Sequence, residues 1–159
     1  MKKTRLFALV GTLITLALLG QGPAAQAAQC SQSGVAGKYG FTLSGVVILP
    51  TGAVPIAAVG KATLDASGNV SGTEARTVGG SYADETFTGI FTVNADCTGT
   101  TTLQFFENGN LVRTSVLSLV FDNNQREIRM VQKSLQLPNS AFLPVVITVQ
   151  ARKIFSEDD

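Results

Sequence analysis

From residue 38 to residue 154, apolar and polar side chains alternate in short runs, separated by clusters of Gly, Asn, Asp and Pro. Alternation with a period of two predicts half-buried β-strands, and no stretch sustains the 3.6-residue period of a helix. Eight strands are predicted: Lys38 to Ile48, Ile56 to Leu64, Val70 to Val78, Glu85 to Val93, Thr98 to Glu107, Leu111 to Phe121, Glu127 to Ser134 and Val145 to Ile154. In the first, Tyr39, Phe41 and Leu43 alternate with Gly40, Thr42 and Ser44; in the fourth, Phe87, Phe91 and Val93 share a face opposite Thr86, Thr88 and Thr92.

Short connections between strands favour pairing of sequence neighbours. Asn108-Gly109 is the strongest hairpin signal, since both residue types accept the positive φ of a type I′ turn. An open meander of eight strands exposes two edges, and closing the sheet removes them. Glycines inside the strands (Gly45, Gly60, Gly72, Gly89, Gly99) suit a strongly coiled sheet. The expected fold is therefore all-β, an eight-stranded antiparallel up-and-down barrel; a two-sheet β-sandwich is the alternative.

Strand parity sorts the connections between two ends. Cys30 precedes strand one and Cys97 follows strand four, so both fall at the same end. A disulfide between them would hold residues 28–37 as a plug over that mouth, and its loop of about 68 residues corresponds to a ceiling of ~4 kcal/mol. The opposite mouth collects two unusually apolar segments, Leu49 to Pro55 and Leu135 to Pro144. These segments fold inward over the core, form an apolar rim for a ligand or partner, or are locally disordered.

The first residues bear on the compartment. Lys2, Lys3 and Arg5 precede an uncharged run from Leu6 to Gly20, and Ala25 and Ala27 end a segment of small residues. This is the layout of a secretory signal peptide cleaved after Ala27, and the run is shorter than the ~20 residues of a membrane span. Gln29 before Cys30 does not fit a lipid-attachment site. Residues 28–159 then form one domain, secreted or periplasmic, where two cysteines pair. Without the leader, nine Lys and Arg stand against eleven Asp and Glu, which gives no basic surface for nucleic acid.

Three stretches resemble motifs of a group of small uncharacterised exported bacterial β-proteins: Gly37-Lys38-Tyr39-Gly40-Phe41, Asp65 to Thr73, and Phe87 to Thr100 with its Val93-Asn94-Ala95-Asp96-Cys97-Thr98-Gly99-Thr100 end. The resemblance implies a shared fold. Gly37-Lys38-Tyr39 is also similar to the Gly-x-Trp that opens the first strand of the calycins, the lipocalin and avidin-like barrels. Lipocalins bring a basic residue from the last strand against that Trp; here the alternation of Val145, Ile147, Val149 and Ala151 turns Arg152 outward.

The chain contains no histidine, which excludes Ser-His-Asp and Cys-His catalysis and the usual zinc sites. No phosphate-binding glycine motif opens a helix. Asp65 and Asn69, like Asn94 and Asp96, lack the repeated acidic positions of a calcium loop. No cofactor or metal is expected. The remaining chemistry is Tyr82, Asp84 and Glu85 with Glu74 around the third hairpin, read as a solvated turn or, alternatively, an acid–base pair. Tyr39, Phe41, Phe87, Phe91 and Phe105 face the barrel interior, which is either filled or keeps one small cavity. The expected function is non-enzymatic binding of a small apolar ligand through Tyr39, Phe41, Phe87 and Phe91 inside and Leu49, Val54, Leu137 and Phe142 at the mouth. The alternatives are an envelope structural or interaction module and a carboxylate enzyme.

Overall fold

A computed structural model of the chain describes residues 29–154; the expected signal segment, 1–27, lies outside them. One helical turn, α1 (Gln32–Val35), precedes β1 (Gly37–Leu49), β2 (Gly52–Leu64), β3 (Asn69–Val78), β4 (Ser81–Val93), β5 (Thr98–Glu107), β6 (Asn110–Asp122), β7 (Glu127–Gln136), β8 (Phe142–Leu143) and β9 (Val145–Lys153). Successive long strands pair antiparallel, β6 pairs with β7, and β9 lies between β7 and β1. The sheet is thus a closed eight-stranded barrel and not a sandwich, with β8 a short addition against Leu135 and Gln136. Closure runs from Tyr39 opposite Lys153 to Val47 opposite Val145, giving partners to backbone groups that would otherwise form raw edges.

The hairpins follow the turn chemistry. Asn108 and Gly109 take φ of 50° and 80°, and Gly79 and Gly80 take 57° and 89°, as type I′ turns require. Inside, the rings of Phe41 and Phe87 lie where a Cβ on residues 60 and 72 would stand, so glycine at those positions lets the rings lie flat against neighbouring strands. The outer face carries Thr, Ser, Lys and Arg with scattered exposed apolar residues such as Val59, Ile90 and Val131, and most interior side chains are apolar. Among the described residues, no helix is long and apolar enough to cross a membrane.

At one end α1 covers the barrel mouth. Cys30 is bonded to Cys97 with Cα atoms 5.0 Å apart, and Val35 is fully buried in the core. Ser31 caps the turn by accepting from the Gly34 amide at 3.1 Å. Gln32 Nε2 donates to Phe91 O at 3.3 Å, and the Ser31 amide donates to Gln125 Oε1 at 3.1 Å. The buried Tyr39 hydroxyl donates to Val35 O at 2.6 Å, and burial pushes this phenol well above its ordinary range. Arg152 points outward as its parity requires, and Lys153 beside it turns in. Lys153 Nζ donates to Gly34 O at 2.9 Å and lies 5.9 Å from the centre of the Tyr39 ring.

At the other end the apolar segments are shorter as loops than expected. β1 continues to Leu49 and β2 begins at Gly52, so only Pro50 and Thr51 turn the chain. Pro55 is tolerated inside β2 because the β3 ladder begins at Ile56, leaving no partner there for the missing amide. Of residues 135–144, the first two end β7 and two more form β8.

Candidate functional site: an apolar chamber with an ionic end

The inward side chains of the barrel leave an internal cavity of about 80 Å³. Its walls are mostly apolar: Phe41 and Phe87 meet edge to face with ring centres 5.9 Å apart, and Phe87 and Phe105 are tilted at 5.3 Å. Tyr39, Phe41, Phe87 and Phe91 all line it, as the alternation predicted. Leu49, Val54, Leu137 and Phe142 do not. Phe142 is 65% exposed, and the other three are half-buried at the open end. The interior set and the mouth set of the expected binding residues are therefore two separate groups.

The carboxylates predicted to lie on a solvated turn also divide in two. Tyr82 and Asp84 stand outside, with the Tyr82 hydroxyl donating to Asp84 Oδ1 at 2.5 Å. Glu74 and Glu85 are buried inside the barrel, directly opposite each other on β3 and β4. Two carboxylates facing across a ladder repel unless a cation lies between them. The structure provides two. Arg113 of β6 donates through Nη2 to Glu74 Oε1 at 2.6 Å and through Nη1 to Glu85 Oε2. Arg76 donates to Glu85 Oε1 from Nε at 3.0 Å and from Nη2 at 2.6 Å. The Arg113 guanidinium lies 3.7 Å over the Phe105 ring, which fixes its plane by a cation–π contact.

Backbone irregularities help set this polar end. The β5–β6 register shifts between Phe105 and Phe106, so Val112 is an extra residue and Arg113 falls opposite the inward Phe105. A second shift, between Val116 and Leu117, makes Lys133 the extra residue on β7. It leaves both Gln132 and Leu135 among the cavity-lining side chains. Gln132 Nε2 donates to Ser115 Oγ at 3.0 Å and to Ser134 O at 3.1 Å; Thr101 donates to Ile90 O at 2.9 Å. Among the described residues no buried side-chain nitrogen or oxygen lacks a partner.

The two carboxylates differ electrostatically. Burial pushes Glu74 up to about 7, against the charge and hydrogen bond of Arg113. Burial acts the same way on Glu85, but the bonds from Arg76 and the charge of Arg113 outweigh it and hold Glu85 below the ordinary carboxylate value. Glu74, Arg113, Ser115, Thr101 and Gln132 border the cavity; Glu85 and Arg76 stand behind them. No group of three or more His, Cys, Asp or Glu among the described residues could hold a metal ion.

Parity carried a signal for these residues. Glu85 shares the face of Phe87 and Phe91, and Glu74 that of Val70 and Gly72, so reading the alternation through to its charged members would have placed both inside.

No family model matches the chain, and no curated protein matches it. It is similar to a solved structure described as EF1p2_mFAP2b bound to DFHBI, with a TM-score of 0.55 at 10% identity, over 79% of this chain and 100% of that one. That likeness concerns the fold.

Proposed function

We propose that this protein is an exported, non-enzymatic barrel that binds a small apolar molecule in its internal chamber. The observation that carries the reading is the cavity of about 80 Å³ among Phe41, Phe87, Leu103 and Leu117, with the charged groups Glu74 and Arg113 together on its wall. Apolar walls with a few placed polar groups are the usual make-up of a ligand site. The size restricts the ligand. Sites for drug-sized molecules span ~300–1,000 Å³, and an apolar cavity of ~150 Å³ accepts benzene, so the occupant is a molecule of only a few heavy atoms. At a ceiling of ~1.5 kcal/mol per heavy atom, a six-atom ligand gains no more than ~9 kcal/mol. The EF1p2_mFAP2b structure, similar in fold, is bound to DFHBI, which agrees with this reading without naming a ligand here.

Export rests on the amino-terminal pattern of Lys2, Lys3, the apolar run and Ala25-x-Ala27, and on a disulfide that suits an oxidising compartment. The non-enzymatic reading rests on the lack of histidine and on the arginines that neutralise the interior carboxylates.

The test is a titration with xenon and with 1-butanol followed by methyl NMR. Saturable shifts at Leu43, Leu103, Leu117 and Met130 are expected; linear, non-saturating shifts with both probes would sink the reading.

A further inference from the structure

We infer that the chamber selects small carboxylic acids, the anionic head seating against Arg113 and Ser115 while Glu74 takes up a proton. This rests on the chamber being a binding site. The argument begins with the charges. The groups facing Glu74 are Arg76 on its own strand, Glu85 on β4 and Arg113 on β6; its partner on β2 is Gly60, and Lys61 beside that glycine is exposed on the outer face. With both carboxylates ionised the four charges cancel.

The hydrogen bonds are unequal. Glu85 receives three, from two guanidinium groups, and Glu74 receives one from the arginines. A proton entering the cluster therefore settles on Glu74, the acid at the cavity wall. Two guanidinium groups then face one carboxylate, and the chamber carries one uncompensated positive charge among apolar walls. Such a charge is costly until an anion meets it.

Donors for that anion are present. Arg113 has five N–H groups, of which the carboxylates take two. Ser115 accepts from Gln132 and keeps its own proton to donate. Phe105 occupies one face of the guanidinium, so the guanidinium cannot swing away. An ammonium head is disfavoured because any position near Glu74 is also near Arg113. An alcohol can hydrogen-bond but neutralises nothing. The balance is one ligand anion and one solvent proton in: the proton, given up by hydronium or buffer acid, forms an O–H bond on Glu74, and no bond of the ligand is made or broken.

The experiment is calorimetry of the protein with butyrate, 1-butanol and butylamine at about pH 6 and about pH 8, in two buffers of different ionisation enthalpy. Butyrate is expected to bind with uptake of about one proton at the higher pH, and to weaken about tenfold per pH unit above neutrality. In Glu74→Gln, which resembles the protonated acid, butyrate binding should persist without proton uptake or pH dependence. The wild-type proton count stands even if that variant does not fold. Butanol binding as tightly as butyrate, butylamine binding more tightly than either, or butyrate binding without proton uptake would each overturn the inference and leave the binding reading intact. Silence from all three probes and from xenon would overturn the binding reading, and this inference with it.

Discussion

Glu74 and Glu85 are direct cross-strand partners inside the barrel and share the guanidinium of Arg113. Two like charges are thus placed side by side in an apolar interior, and the arrangement holds only through the arginines. Such a cluster constrains the fold more than it stabilises it. Taking charged groups out of water costs several kcal/mol each, and their mutual attraction roughly returns that amount.

The consequence is a contrast between two kinds of variant. Arg113→Ala leaves both carboxylates facing each other and is expected to destabilise the protein by ~3–5 kcal/mol. Replacing Glu74, Glu85, Arg76 and Arg113 together by Leu, Leu, Leu and Met removes all four charges along with their cost, and should return stability to within ~1–2 kcal/mol of wild type. Denaturant unfolding measures both. An Arg113→Ala protein within ~1 kcal/mol of wild type would show that the ion pairs do not hold the interior.

Why this cluster was hard to see in the sequence is a matter of distance along the chain. The strands, the Asn108-Gly109 hairpin, the closure of β9 on β1 and the Cys30–Cys97 bond all follow from local alternation, turn residues and parity. Glu85 is local too, one position on from the outward Asp84, but its charge and its place beside a hairpin made it look solvated. Arg113 is a different case. It reaches Glu74 from 39 residues away, across β4 and β5, and no local pattern encodes that meeting. The residue shifts at Val112 and Lys133 leave no mark in composition either, since bulges depend on how two strands are laid together.

A pH dependence follows from the same pair. The folded Glu74 holds its proton up to about 7, whereas its ordinary value is 4.5. Between these values the folded state binds a proton that the unfolded state has released, so stability falls as pH rises through the window and is flat above it. At ~1.4 kcal/mol per unit the total loss is no more than ~3–4 kcal/mol. Glu85 acts in the opposite sense: its pKa is lowered, so its contribution disappears as pH falls below 4.5. Thermal melts should therefore peak near about pH 5, and Glu74→Gln should remove the decline toward about pH 8. A wild-type protein that gains stability across that range would contradict the assignment.

Separation of the interior and mouth residues gives a third test. Leu103 lines the cavity and Phe142 is exposed outside it. Leu103→Trp should fill the chamber and abolish saturable 1-butanol shifts, at an overpacking cost of ~1–3 kcal/mol. Phe142→Asp should leave those shifts unchanged and alter stability by less than ~0.5 kcal/mol, as for other surface changes. Loss of butanol binding in the Phe142 variant would move the site from the chamber to the rim.

The disulfide provides the last prediction, and its effect should be greatest at one end. Cys30 lies five residues before the fully buried Val35, so the bond to Cys97 fixes the start of the turn that covers the mouth. In Cys97→Ser the loop closed by that bond opens, and chain entropy sets the loss at ~4 kcal/mol or less. Part of the cover remains held without it, through Tyr39 on Val35 O and Lys153 on Gly34 O. The expected result is a lower melting temperature than the oxidised wild type, with faster hydrogen exchange at the Val35 and Ala36 amides, which bond only within the turn. Exchange at the ladder amides around Glu74 and Glu85, at the opposite end, should change only as far as global stability does. Equal melting of the variant and the oxidised wild type would mean that Val35 packing and the Tyr39 and Lys153 hydrogen bonds hold the cover by themselves, and that the bond adds nothing to it.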